Sequence, residues 1–308
     1  MIKAFLDYYS KAQMMQSLKY EGGCFTEEEV NDDLVWNVPI YDVVHRKYAS
    51  FSSLLEALNL GEKDPKGNGL YFNKACEKIK AHDFVVLCYL FRLCGSGINY
   101  KPKVSTPIGS HGFGNFWIVN ELLKGEVNSK KWIDNIPQDK FCDCKGYLLP
   151  MIKGGLRNFI QNESLDLIDF IMEFATSNYC VATNNPSIGI KEIVDHGNKW
   201  LLSKGYKRQN FVLTAFAMDL AEYFPQYVNR DSDTYVGSNA KKCLKMILPE
   251  LSHDAALRHL CYITNNVSKP YDMEDVACDF IRYINNYQSN HHIDMNKGIV
   301  YKNNINVK

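Results

Sequence analysis

Apolar residues recur at intervals of three and four along most of this chain, and that spacing leaves the helix as the regular way to bury them. Ile2, Phe5, Leu6 and Tyr9 form one stripe of an opening helix over 2–19, and Phe51, Leu54, Leu55 and Leu58 repeat the pattern over 51–59. A helix over about 70–80 is expected next. The segment from His82 to Leu93 is apolar nearly all round, as a central core helix should be. Further helices are predicted over 116–123, 164–175, 187–203, 208–223, 237–248, 253–264 and 272–287. Ser252 and Asp272 sit where N-caps belong, and Thr26 with Glu29 has capping-box spacing. The fold class is therefore all-α: one helical domain over 1–288, with Asn184-Asn185-Pro186 as the boundary should it divide into two lobes. The Asn- and Lys-rich segment 289–308 is expected to be a flexible tail with at most a short strand at Ile299-Val300-Tyr301.

Composition narrows the function classes. The longest apolar run, Phe84 to Leu90, falls far short of the roughly 20 residues that cross a bilayer, so no membrane partner is expected. The first residues carry Asp7 and Lys11 and no small-residue cleavage site, which argues against a secretory signal. Ten scattered cysteines then read as reduced thiols in a cytoplasm. Thirty-five basic residues balance thirty-five acidic ones, which argues against coating nucleic acid by bulk charge. Local excess is another matter: from Arg92 to Arg157 there are ten basic residues and five acidic ones.

That basic stretch contains three segments that couple glycine with cations or a helix start. Phe91-Arg92-Leu93-Cys94-Gly95-Ser96-Gly97-Ile98-Asn99-Tyr100 puts an arginine on a buried helix just before a loop. Such an arginine needs either a structural carboxylate or an anionic ligand. Ser110-His111-Gly112-Phe113-Gly114-Asn115-Phe116-Trp117 has the Gly-apolar-Gly of a tight hairpin, whose N–H groups at a helix N-terminus suit a phosphate oxygen. Lys153-Gly154-Gly155-Leu156-Arg157 repeats the combination at an expected helix start. A plain inter-helix turn explains any one of them. Other chemistries find no footing: the Gly95 segment lacks the Gly-Lys-Ser/Thr ending of a Walker A loop, no HExxH or GxSxG occurs, and Cys142-Asp143-Cys144 lacks a second pair at zinc spacing. No metal or other cofactor is expected. In the last helix Glu274, Cys278 and Arg282 fall close to one face, where an ion pair along the helix is the simplest account.

Phe91-Arg92-Leu93 before a loop, Gly112-Phe113-Gly114-Asn115-Phe116, Gly154-Gly155-Leu156-Arg157, and Glu274-x-x-x-Cys278 followed by Arg282-Tyr283 resemble, in the same order, the helical DNA-thymine hypermodification enzymes. These are the amino acid:DNA transferases, or alpha-glutamyl/putrescinyl thymine pyrophosphorylases, encoded mainly by bacteriophages. The resemblance implies a helix-hairpin-helix glycosylase-like bundle working in a host cytoplasm. It also implies a substrate, 5-hydroxymethyluracil in DNA already converted to its pyrophosphate by a separate hydroxymethyluracil-DNA kinase. The amine of a free amino acid or polyamine would displace pyrophosphate. Under this reading Arg92, Asn99, Gly112, Gly114, Asn115, Lys153, Gly154, Gly155 and Arg157 bind phosphate and substrate, and Tyr100 and Phe113 stack on the base. His111 is the first choice for general base, with Glu274 behind it. A counterpart of the glycosylase aspartate would be Asp134 or Asp139. The chain departs from glycosylases in lacking their four-cysteine cluster spacing and in carrying bulky Ile118 in the hairpin helix.

Two other readings stay open. A helical glycosylase would excise a modified base and depend on Asp134 or Asp139. A non-catalytic helical DNA-binding protein would tolerate loss of Arg92, His111 and Arg157.

Overall fold

A computed structural model describes residues 1–20, 81–94, 129–134, 155–180, 185–186, 188–287, 291–294 and 298–301. Over these residues the chain is predominantly helical, as the periodicity predicts. The ten helices described are α1 (Ile2–Tyr20), α2 (Ala81–Cys94), α3 (Ser129–Asp134), α4 (Gly155–Asn162), α5 (Ser164–Ser177), α6 (Ile190–Ser203), α7 (Asn210–Tyr223), α8 (Ser238–Ile247), α9 (His253–Ile263) and α10 (Pro270–Tyr287). Two short antiparallel pairs accompany them: β1 (Tyr179–Cys180) with β2 (Asn185–Pro186), and β3 (His291–Asp294) with β4 (Gly298–Tyr301). The helices expected over 51–59, 70–80 and 116–123 and the capping box at Thr26 lie outside the described residues.

Contacts divide the chain into two compact units, Met1–Tyr48 with Val236–Lys308, and Ala49–Tyr235. The boundary suggested at 184–186 falls inside the second unit, where Asn185 and Pro186 pair with Cys180 and Tyr179.

In the first unit α1 supplies Ala4, Phe5, Tyr8, Tyr9 and Ala12 to a core completed by α8, α9 and α10. The buried face is rotated from the predicted stripe: Tyr8 goes inside, while Ile2 and Leu6 are only partly covered. Rings explain the rotation. Phe280 of α10 meets Phe5 edge-on at 5.5 Å and Tyr8 at 5.4 Å, and Tyr8 also meets Tyr283 at 5.1 Å, contacts each worth about 0.5–1.5 kcal/mol beyond area burial. Ser252 caps α9 as predicted, its hydroxyl accepting from the Ala255 N–H at 3.3 Å. Asp272 is not an N-cap. Its helix begins two residues earlier at Pro270, whose fixed φ suits a first helical position. The Asp272 carboxylate instead reaches back to accept the Lys269 N–H at 3.1 Å. Within the segment expected as a tail, β3 and β4 form a hairpin with His292 opposite Val300 and Ile293 opposite Ile299, and β4 packs on α1. The predicted strand at 299–301 lies within β4.

In the second unit α2 and α7 are the central helices. Phe84 through Leu90 are all buried, as are Val212 through Ala221. Helix α2 packs on α7, α5 and α3, and α6 packs on α7 and α5. At Gly197 the backbone of α6 comes so close that an added Cβ would lie 2.9 Å from Ile171 Cδ1 and 3.1 Å from Leu213 Cδ1. The start of α6 is held by two side chains: Glu192 accepts the Gly189 N–H at 3.1 Å and Ser232 accepts the Ile190 N–H at 2.9 Å.

Candidate functional site

Arg92 lies in the last turn of α2, with 2% of its surface exposed. At that depth a guanidinium must be matched by an acceptor of opposite charge. Asp219 of α7 provides it: Arg92 Nε donates to Oδ2 and Nη2 to Oδ1, both at 2.6 Å. The two planar groups meet fork to fork, the strongest geometry for such a pair. Of the alternatives the sequence allowed, the structural carboxylate is the one observed, and the expected direct clamp on a leaving group has its guanidinium engaged in the core instead. One turn earlier, burial pushes the Cys88 thiol well above its ordinary range, the Asp219 charge adds to this, and the Arg92 charge only partly offsets it.

A second polar cluster sits in the same unit. Asn198 of α6, itself 2% exposed, accepts the Gln209 N–H at 2.9 Å and donates to Asn210 Oδ1 at 2.7 Å. The Tyr89 hydroxyl of α2 donates to Gln209 Oε1 at 3.3 Å. These bonds fasten the start of α7 to α6 and α2, and they hold the intervening turn in one shape. That turn, from Lys204 to Gln209, contains Gly205 in the left-handed region at φ +79°, where a side chain would be strained.

The other candidates fall in different places. Gly155 opens α4, so the Lys153 segment does lead into a helix, with Arg157 in its first turn. Lys153 and Gly154 themselves lie outside the described residues, as do Asn99, Tyr100, His111, Gly112, Phe113, Gly114, Asn115 and Asp139. Asp134 is exposed at the end of the six-residue α3. Glu274 is 8% exposed and accepts the Gly237 N–H at 2.8 Å, holding the start of α8. It belongs to the first unit, whereas Arg92, Asp134 and Arg157 belong to the second.

No protein-family model, curated protein or solved structure matches the chain. The chemistry must therefore be argued from its own residues.

Two features lie outside the segments singled out above. Asp219 lies 127 residues from Arg92, and nothing nearby marks it except an acid inside an otherwise apolar helix. The second is the α6–α7 turn, whose surroundings from His196 to Asn210 carry Lys199, Lys204, Lys207 and Arg208 and no acidic residue. A count of charge over every window, rather than over the glycine-rich middle alone, would find it. Among the described residues no group of three or more His, Cys, Asp or Glu side chains could hold a metal ion, and no helix is long and apolar enough to cross a membrane.

Proposed function

We propose that this chain is a DNA base-modifying transferase, which joins the amine of an amino acid or polyamine to pyrophosphorylated 5-hydroxymethyluracil in DNA and releases pyrophosphate. The observation that carries this reading is the opening of α4 at Gly155, directly after Lys153-Gly154 and with Arg157 in its first turn. The first N–H groups of a helix have no carbonyl within it to bond, and the sequence sets a cation two residues before this start and another two residues after it, a combination suited to a departing anion.

In the reaction the amine nitrogen attacks the exocyclic methylene carbon of the base. The bond from that carbon to the pyrophosphate oxygen breaks, and its electron pair leaves with pyrophosphate. The amine then loses a proton. Lys153, Arg157 and the Gly154 and Gly155 N–H groups stabilise the growing negative charge, and His111 takes the proton. Gly112, Gly114 and Asn115 contribute donors to the phosphates, Asn99 contacts the substrate, and Tyr100 and Phe113 stack on the extruded base. Arg92 serves indirectly, since its pair with Asp219 anchors the helix that leads into the Gly95–Tyr100 segment. Glu274 is left out of the proton transfer because its carboxylate holds the start of α8.

The test uses DNA containing 5-hydroxymethyluracil, a hydroxymethyluracil-DNA kinase with ATP, and mixed amino acids and polyamines. Mass spectrometry of the digested DNA should show an aminated thymine nucleoside only when the protein is present, with pyrophosphate released in equal amount. Arg157→Ala should cut the yield by about 10²–10³-fold, the usual effect of removing a group that stabilises developing charge. Unchanged nucleosides would refute the proposal, and abasic sites formed without the kinase would replace it with base excision.

A further inference from the structure

The turn between α6 and α7 is built more firmly than an ordinary connection. Leu201 and Leu202 carbonyls accept the Tyr206 and Gly205 N–H groups at 2.8 and 3.0 Å, which closes the end of α6. Tyr206 then turns inward and meets Phe159 of α4 edge-on at 5.2 Å. Asn198 and Gln209, both nearly inaccessible, tie the far side of the turn as described above. Buried amide groups are costly unless fully bonded, so committing two of them to a surface turn fixes what that turn presents.

What it presents is positive charge. Lys204, Lys207 and Arg208 on the turn and Lys199 one turn before the end of α6 are exposed, as are Leu202 and Phe211 at 47% and 59%. The acids nearby are few. Glu163 approaches Lys204 at 3.9 Å, a long and partly exposed pair that competes weakly with another anion. Asp195 instead accepts from the Tyr235 hydroxyl at 2.7 Å. A neutral protein that gathers exposed cations on and just before one turn has a local site for a polyanion.

We infer that the α6–α7 turn is a docking surface for the phosphate backbone of DNA, with Lys199, Lys204, Lys207 and Arg208 on the phosphates and Phe211 against a sugar or base. The choice of DNA among polyanions rests on the transferase reading; the cationic surface does not. An anionic membrane fits less well, because interfacial helices insert a continuous apolar face and the apolar faces of α6 and α7 are spent in the core. Anchorage of Tyr206 on α4 sets this surface beside the helix proposed to seat pyrophosphate. The DNA would thus be gripped away from the reacting base, through its backbone and without regard to its modification.

The experiment measures binding of a short labelled duplex of unmodified DNA to the full-length chain by fluorescence anisotropy over a range of salt. Changing Lys199, Lys204, Lys207 and Arg208 together to Gln should weaken binding at least tenfold and flatten the plot of log affinity against log salt by about 0.9 for each phosphate left unneutralised. A control, Lys130→Gln with Lys131→Gln on α3, should leave both unchanged, and circular dichroism should show every variant folded. Phe211→Ser should weaken binding severalfold without altering the salt slope. Wild-type affinity and slope in the quadruple variant would overturn the inference. So would a quadruple variant that no longer binds phosphatidylserine vesicles yet binds DNA as the wild type does. The duplex carries no modified base, so failure here and failure to make an aminated nucleoside are separate results.

Discussion

The two units solve the same packing problem with different chemistry. The first fills its interior with rings and aliphatic side chains, and its buried polar groups serve the edges of elements: Tyr9 bonds Ser268 at 2.8 Å, Glu274 holds the start of α8, and Asp272 the start of α10. The second buries an ion pair between the last turn of α2 and α7 and ties a surface turn with buried amides. Apolar packing is tolerant of small slips, whereas a fork-to-fork pair is satisfied in one arrangement of α2 against α7. The second unit is the one whose core holds a defined register, and it also carries the α6–α7 turn with its exposed cations.

That contrast can be broken or sharpened by substitution. A large effect is expected in the first unit: Phe280→Ala removes the ring shared by Phe5 and Tyr8 and should cost about 3–5 kcal/mol in denaturant unfolding. A cost below about 1 kcal/mol would mean that the aromatic cluster is not what binds α1 to α10. In the second unit Gly197→Leu should cost about 1–3 kcal/mol, because the added atoms would press on the side chains of Ile171 and Leu213 that pack against the α6 backbone there. An unchanged melting temperature would show that α6 can withdraw from its neighbours.

Acid should also separate the units. His196 is stacked between Phe170 and Phe174, with ring centroids 4.1 and 4.0 Å away. Burial pushes its pKa below the ordinary 6.5, the Lys199 charge adds to this, and the bond to the Phe170 backbone partly opposes it. The folded state therefore favours the neutral ring. This contribution is fully present above pH 6.5 and is lost as pH falls through the lowered folded value. Unfolding curves of the wild type should show that decline in acid, and His196→Phe should lack it. The smallest effect belongs to the α9 cap: Ser252→Ala should cost about 1 kcal/mol, and Ser252→Asp should restore most of it.

Much of the fold can be read from the residues, and the reasons differ by element. Helices α5 through α10 follow their apolar spacing because each buries one face or, for α7, nearly all of it. Sequence and structure part where a local rule has a competitor. At the start of α10 the aspartate reads as a cap, but Pro270 is as strong a start signal and sets the boundary. In α1 the choice between Leu6 and Tyr8 as core residues depends on the rings of α10, which no local window contains. In the β3–β4 hairpin the apolar Ile299-Val300-Tyr301 reads as a strand, but its partner His291-His292-Ile293-Asp294 is short and polar and passes for a tail. As for the site, the sequence marks Arg92 as needing a partner but cannot identify Asp219, since that pairing exists only once α2 lies on α7.

The same pair offers the most direct test of the account, through a double-mutant cycle followed by unfolding in denaturant and by inorganic pyrophosphate binding. Arg92→Met alone and Asp219→Leu alone should each cost about 3–5 kcal/mol by stranding a buried charge, and combining them should recover most of that stability. Pyrophosphate affinity should survive in the double variant. If Arg92→Met leaves stability intact and instead abolishes pyrophosphate binding, Arg92 is a ligand-binding group, and the core described for the second unit is wrong.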